Sequence, residues 1–232
     1  MADVTLYGFP VSTSVNVVRL ALTHKSVPFR FHDLEDEMGG PGHLALHPFG
    51  RVPILDHAGF RLYETAAIAL YVDEAFTGPA LQPTTAKART RMHQWISSLS
   101  GYYYPSIAFH LGHERLIYPP LGIAADEKVV EVALPRIVTG LDVMERELGQ
   151  DHSFLVDNRP TLADFFMLPT LTTLGFAREG QEMLASKPAI AAWRQRMDSL
   201  PSVIAVRAMV MPHVGKPLEH AHAWVDSHRP PY

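Results

Sequence analysis

All the strand-like patterning in this chain of 232 residues falls ahead of residue 65, and that asymmetry limits what it can fold into. Val4–Tyr7 and Pro28–Asp33 (PFRFHD) read as strands, and RVPILDH and FRLYE flank the His57–Gly59 turn as a candidate antiparallel hairpin. Helical periodicity falls between and after them, over Ser14–Lys25 with the apolar stripe Val15, Val18 and Leu22, and over Thr65–Phe76 with Thr65 as its cap. The order β-α-β-loop-β-β-α defines a small domain over residues 1–78, with the Gly/Pro-rich EMGGPGHLALHPFG as a loop holding at most a short helical turn. A linker is expected over 79–88. An all-helical domain follows over 89–214, and an irregular His/Pro-rich tail over 215–232.

In the second domain the clearest helices are Arg89–Phe109, Asp126–Leu148, Thr161–Leu174 and Ala189–Leu200. Pro105 is expected to bend or break the first, because proline lacks an N–H and crowds the preceding turn. RPTLADFF carries Thr161-x-x-Asp164 just ahead of an apolar run, a capping box with Asp in the usual Glu position. It reads as the start of a core helix and as nothing chemical.

Composition narrows the function. A net charge of −4 gives no electrostatic reason to expect nucleic acid. MADVTLYGFP has no basic flank followed by an apolar run, and no apolar stretch reaches the roughly 18–20 residues that span a bilayer. The expectation is a soluble, cytoplasmic protein. With no cysteine, disulfides, thiolate metal sites and disulfide-reductase chemistry on a protein thiol are excluded. If thiol chemistry occurs, the sulfur arrives with a substrate.

Three junctions in the first domain carry complementary chemistry. Ser12, with Thr13 and Ser14 behind it, sits where a strand turns into a helix, at a positive helix end that favours an anion. Val52-Pro53 leads a strand, and proline makes a cis peptide tolerable there, which would expose the Val52 N–H and C=O to a peptide laid alongside. Glu64 suits an ammonium and Thr65, with its helix amides, a carboxylate, so the pair can read an amino acid's two charged ends. A hydroxyl donating to a thiolate contributes about 1.5–3 kcal/mol, enough to depress a thiol pKa of about 8.5 by one to two units.

These residues resemble the cytosolic glutathione S-transferases of the serine type, phi-like, zeta-like or bacterial. GFPVSTSVNVVRLALTHK aligns without gaps with Ser12 on the catalytic serine, LALHPFGRVPIL matches the stretch with the cis proline, LYETAAIALYV the γ-glutamyl-binding pair, and PTLADF the folding motif of the helical domain. The resemblance spans nearly the whole chain. It implies an α+β architecture: a thioredoxin-like N-terminal domain (βαβ-ββα) and an all-α C-terminal bundle. It also implies glutathione as co-substrate, no metal, and a homodimer.

Carried across, the resemblance makes Ser12 the group that stabilises the glutathione thiolate, with Ser14 as the alternate. Val52 and Pro53 would pair with the cysteinyl unit, Glu64 and Thr65 would hold the γ-glutamyl end, and Arg51 would meet the glycyl carboxylate. The His-Lys pair of the plant-type class falls on Met38-Gly39 here, so His43 or His47 would take its place. GYYYPSIAFHLGHER offers Tyr102, Tyr103, Phe109 and His110 for a small hydrophobic electrophile.

His220 and His222 lack the i, i+4 spacing of a zinc protease, so no metal is expected. The implied activity is attack of the bound thiolate on an electrophilic carbon. A zeta-like cis–trans isomerase is the alternative, weakened because Ser14 stands where that class has cysteine. A non-catalytic glutathione-binding scaffold is another.

Overall fold

The computed structural model describes residues 3–150 and 152–217, together with Ala223. The chain divides into two compact units. One comprises the chain up to Gly78 and its described residues from Ala205 onward; the other is Pro79–Ile204. His220 and His222 lie outside the described residues, as does most of the expected tail.

The first unit contains β1 (Val4–Gly8), α1 (Thr13–His24), β2 (Arg30–Asp33), a 3-10 turn at Glu35–Glu37, α2 (Pro41–Leu46), β3 (Ile54–His57), β4 (Phe60–Tyr63) and α3 (Thr65–Ala75). The strands form one sheet in the order β2-β1-β3-β4, with β1 parallel to β2 and antiparallel to β3, and β3 antiparallel to β4. This is a thioredoxin-like sheet with helices, as the family resemblance implies. Alternation in β1 buries Val4, Leu6 and Gly8. Gly8 is required by proximity: a Cβ there would lie 2.3 Å from Val15 Cγ2, so only glycine lets the end of β1 approach α1 this closely. The stripe Val15, Val18 and Leu22 is wholly buried, as are Ile68, Ala69 and Val72 of α3, and the two helices pack on each other. Lys25, at the end of α1, meets Asp73 of α3 at 3.0 Å, with side chains 2% and 5% exposed.

The second unit is helical: α4 (Ala86–Ser98), α5 (Glu127–Leu148), α6 (Leu162–Leu174), α7 (Arg178–Ala185) and α8 (Pro188–Asp198). α9 (Pro201–Val210) then runs on past Ile204. The stretch expected as a linker is fastened: Arg159 donates to the carbonyls of Ala80 and Gln82, the Leu162 N–H to that of Leu81, and residues 86–88 already belong to α4. Pro105 does not break the path that starts in α4. The backbone widens into π-helical segments at Leu99–Tyr103 and Pro105–Ile117, with Tyr104 N–H bonding Leu99 O and Tyr118 N–H bonding His113 O. The missing proline N–H falls at the seam between the two segments. Such a length of π winding is uncommon.

α5 buries Val129, Val130, Ala133, Ile137, Leu141, Met144 and Leu148, one stripe of a two-faced helix. α6 is buried nearly all round and starts at the expected capping box: Asp164 Oδ2 accepts from Thr161 N–H at 2.8 Å and from Thr161 Oγ1 at 2.9 Å. The same carboxylate accepts from Leu155 N–H and Trp193 Nε1, both at 2.9 Å. Burial pushes its pKa up, and these donors pull it back.

Candidate active site

The strand register gathers the three junctions at one edge of the sheet. Tyr7 pairs with Ile54, and Ile54 pairs with Tyr63, making one row across β1, β3 and β4. From that row β1 leaves toward Ser12, β3 arrives from Val52-Pro53, and β4 leaves into Glu64-Thr65. The amino ends of α1 and α3 therefore begin at the edge where the Val52-Pro53 peptide, which is cis, enters the sheet.

Ser12 is the N-cap of α1 and is 8% exposed, whereas Thr13 and Ser14 are half-buried. Its backbone N–H donates to Phe9 O at 3.2 Å. Its Oγ accepts from Val15 N–H at 3.4 Å, a long bond that leaves the hydroxyl hydrogen for another acceptor. Capping and anion binding are thus compatible in this residue.

At the second helix the expectation needs correcting. Thr65 is the first helical residue, and the cap position falls to Glu64, whose side chain makes no capping bond. Glu64 sits at φ 71 and ψ 113, a region that non-glycine residues seldom occupy. That backbone turns β4 into α3 in a single residue, so no room remains for Thr65 to cap. The ladder of α3 starts with Ile68 N–H on Glu64 O at 3.0 Å, so the three amides before it have no intrahelical acceptor. Glu64 is exposed and Thr65 half-buried.

His43, expected to contact glutathione, is turned inward. It is 0% exposed; its Nδ1 accepts from Gly39 N–H at 3.0 Å, and its Nε2 meets Arg51 O at 3.0 Å. An Nδ1 that accepts leaves Nε2 to donate, so the imidazole braces the loop to the residue just ahead of Val52. Gly39, where the plant-type pair was expected, contributes its amide to this brace. His47 is turned inward as well. It is 1% exposed, accepts from Phe49 N–H at 3.3 Å and lies 4.7 Å from the Tyr63 ring. Burial first, then His43 and Arg51, lowers its pKa to about 4, so it is neutral near pH 7. Arg51 is half-buried.

The residues expected to meet an electrophile all lie on the π-helical stretch. Tyr102 is 74% exposed. Phe109 is half-buried, edge-on to Tyr104 at 5.2 Å and to His113 at 5.4 Å, and His110 is buried. Tyr103 is a core residue instead: its hydroxyl donates to Gly140 O at 2.7 Å, and burial pushes its phenol up. Its ring lies where a Cβ on Gly140 would be, so it fills the packing against α5. An open cavity of about 420 Å³ lined by Arg115, Leu116, Phe176 and Glu179 contains none of the expected residues. Among the described residues no group of three or more His, Asp or Glu is placed to hold a metal, and no helix is long and apolar enough to cross a membrane.

Sequence reasoning missed Arg19. It is 3% exposed on the buried face of α1, and its Nη1 donates to Pro10 O at 3.0 Å, just ahead of Ser12. A cation four residues after Val15 and three before Leu22, inside an apolar stripe, was the available signal.

Comparison with known proteins agrees with this architecture. The family model "Glutathione S-transferase, N-terminal domain" matches residues 6–80, and "Glutathione S-transferase, C-terminal domain" matches 105–201. Glutathione S-transferase 3 of Zea mays is 32% identical over 209 residues, covering 87% of this chain and 92% of that protein. The crystal structure of glutathione transferase F2 from Populus trichocarpa superposes with a TM-score of 0.83 at 27% identity, covering 90% of this chain and all of that one. A glutathione S-transferase I bound with lactoylglutathione gives a TM-score of 0.80 at 26% identity, covering 90% of this chain and 100% of that one.

Proposed function

Since this chain belongs to the glutathione S-transferase family, and is thus an enzyme with glutathione as co-substrate, we propose that Ser12 is the group that stabilises the glutathione thiolate. The observation that carries the reading is the Tyr7–Ile54–Tyr63 row, which puts the Ser12 turn, Val52-Pro53 and Glu64-Thr65 at one sheet edge. There the γ-glutamyl carboxylate meets the orphan amides of α3 with Thr65, and its ammonium meets Glu64. The cysteinyl backbone lies along Val52, and Arg51 serves the glycyl carboxylate. The lactoylglutathione bound in the glutathione S-transferase I structure supports a glutathionyl ligand on this fold.

As the thiol loses its proton to solvent, the Ser12 O–H donates to the sulfur. A free thiol of pKa about 8.5 is roughly 3% ionised at pH 7, and a fall of one to two units brings that to about a quarter to three-quarters. The thiolate then attacks an electrophilic carbon, with no covalent enzyme intermediate. Tyr102, Phe109 and His110 of the helical unit are assigned to the apolar substrate. Conjugation is favoured over isomerisation because Ser14, not cysteine, follows Thr13. The enzyme is assigned to the cytosol, as a homodimer in which Phe49, 67% exposed beside Tyr63, offers a second copy an apolar knob.

Ser12→Ala tests the reading. It removes a bond to a charged group, so turnover falls about 10–100-fold while glutathione affinity stays within about twofold. The ultraviolet thiolate band of the bound tripeptide is lost near neutral pH. Unchanged turnover and an unchanged band would overturn the assignment, and the same measurements on Ser14→Ala would then locate the donor. Analysis for conjugate against isomerised product separates the two chemistries.

A further inference from the structure

The Ser12 turn is held from behind by a buried cation. Pro10 is itself buried, and its carbonyl receives Arg19 Nη1 at 3.0 Å and Asn16 Nδ2 at 3.2 Å. Arg19 Nη1 also reaches Asn16 Oδ1 at 3.3 Å, so the two side chains form one clamp on one carbonyl. The guanidinium carbon lies over the Phe31 ring, 3.9 Å from its centre, a cation–π contact. Burial lowers the Arg19 pKa to about 10, opposed by Asp33, so the clamp is cationic at neutral pH. Arg19 Nε has no hydrogen-bond partner. Simple packing does not account for this arrangement. An apolar side chain would fill the same helix face without burying a charge and an orphan donor.

The clamp acts two residues before Ser12. The turn is closed at its other side by Ser12 N–H on Phe9 O, at 3.2 Å. With Pro10 O fixed from α1 and Ser12 N fixed to Phe9, little freedom remains in the backbone that sets the direction of the Ser12 side chain. Asn16 N–H on Ser12 O, at 3.0 Å, ties the same residue into the helix that carries the clamp.

We propose that Arg19, with Asn16, is the positioning residue of this enzyme: by gripping the Pro10 carbonyl it holds the Phe9–Ser12 turn so that the Ser12 hydroxyl meets the glutathione sulfur. This rests on Ser12 as the thiolate donor. Arginine suits the task because its planar fork both donates and stacks, which a lysine ammonium does not reproduce.

The test is a double-mutant cycle read by the thiol pKa of bound glutathione, from the ultraviolet thiolate band titrated against pH. Arg19→Met should raise that pKa by about one unit, a tenfold loss of thiolate in the range below it, with glutathione affinity within about twofold. Asn16→Leu, which removes the second donor but no charge, should move it the same way by less. It serves as the readout if Arg19→Met does not fold, as judged by circular dichroism. In a Ser12→Ala background neither change should shift the thiol pKa further, because both act through that hydroxyl. An unshifted pKa in both clamp variants, while Ser12→Ala raises it, overturns the positioning role alone. Additive shifts in the double variants overturn it too, since the clamp would then act on the sulfur by another route. A wild-type pKa in Ser12→Ala itself overturns the Ser12 assignment, and with it this inference.

Discussion

Asp164 offers the sharpest test of what holds the helical unit together. Its two oxygens accept four bonds between 2.8 and 2.9 Å, from Leu155 N–H, Trp193 Nε1, Thr161 N–H and Thr161 Oγ1. It is 0% exposed, so none of those donors can turn to water once the carboxylate is gone. Asp164→Ala leaves three N–H groups without acceptors, at about 1–3 kcal/mol each, or roughly 3–9 kcal/mol. Relief of burying a carboxyl offsets part of this. The net loss should be about 3–5 kcal/mol, the usual range when one partner of a buried charged network is removed. That is a large share of the roughly 5–15 kcal/mol by which domains are stable.

Asp164→Asn keeps the shape and one acceptor oxygen. Either amide orientation sets the NH₂ group against at least one N–H donor, while the Thr161 hydroxyl can turn to accept, so the loss should be about half as large, roughly 2 kcal/mol. Equilibrium urea unfolding, followed by far-ultraviolet circular dichroism, measures both. Glutathione affinity of the folded variants should change little, because Asp164 lies in the unit that carries none of the proposed glutathione contacts. An Asp164→Ala protein within about 1 kcal/mol of wild type would refute the claim that this carboxylate anchors α6. An Asn variant as damaged as the Ala variant would refute the accounting by acceptor count.

Two other sites give independent checks. His47 has a folded-state pKa of about 4, below the ordinary 6.5, so the unfolded chain takes up its proton first. Stability from this residue is therefore complete above about pH 6.5 and lost as pH falls toward 4, by at most about 3 kcal/mol. His47→Asn, which keeps an acceptor for Phe49 N–H, should unfold with a flatter pH dependence across that window, and parallel curves for the two proteins would count against the buried neutral ring. For the Lys25–Asp73 pair, Lys25→Met removes the cation 3.0 Å from the buried Asp73 carboxylate and should cost about 3–5 kcal/mol by urea unfolding. Adding Asp73→Leu should recover most of that loss, and failure to recover it would show that the pair contributes more than mutual neutralisation.

Element type was legible wherever one residue's chemistry decided it. The alternation of β1, the stripe of α1 and the capping box of α6 all appear where the sequence pattern put them, since each is a local preference that tertiary packing reinforces. Pro105 shows where local rules stop. Its effect on an α-helix is well defined, but the backbone around it is wound to i→i+5 bonding, where the missing N–H falls at a seam. α7 also escaped notice: it is only eight residues long, and its one buried residue is Gly180.

The site was legible in its edges and obscure in its supports. Ser12, Val52-Pro53 and Glu64-Thr65 stand out because residue types that bind a ligand were read at loop-to-element junctions, and the register then brings those junctions together. His43, His47 and Arg19 all turn inward, which their sequence context does not announce. A polar side chain turned inward to satisfy backbone groups leaves the same trace in sequence as one turned outward toward a ligand. His43 sits in a Gly/Pro-rich loop, where exposure is the ordinary assumption, yet the loop needs an acceptor for Gly39 N–H and a donor for Arg51 O, and one imidazole supplies both. Arg19 differs in that its helix stripe does predict burial, and burial of a cation demands an acceptor; the Pro10 carbonyl meets that demand. A charged residue inside an apolar stripe should therefore prompt the question of which backbone group it holds, and in this chain the answer leads straight to the turn that presents Ser12.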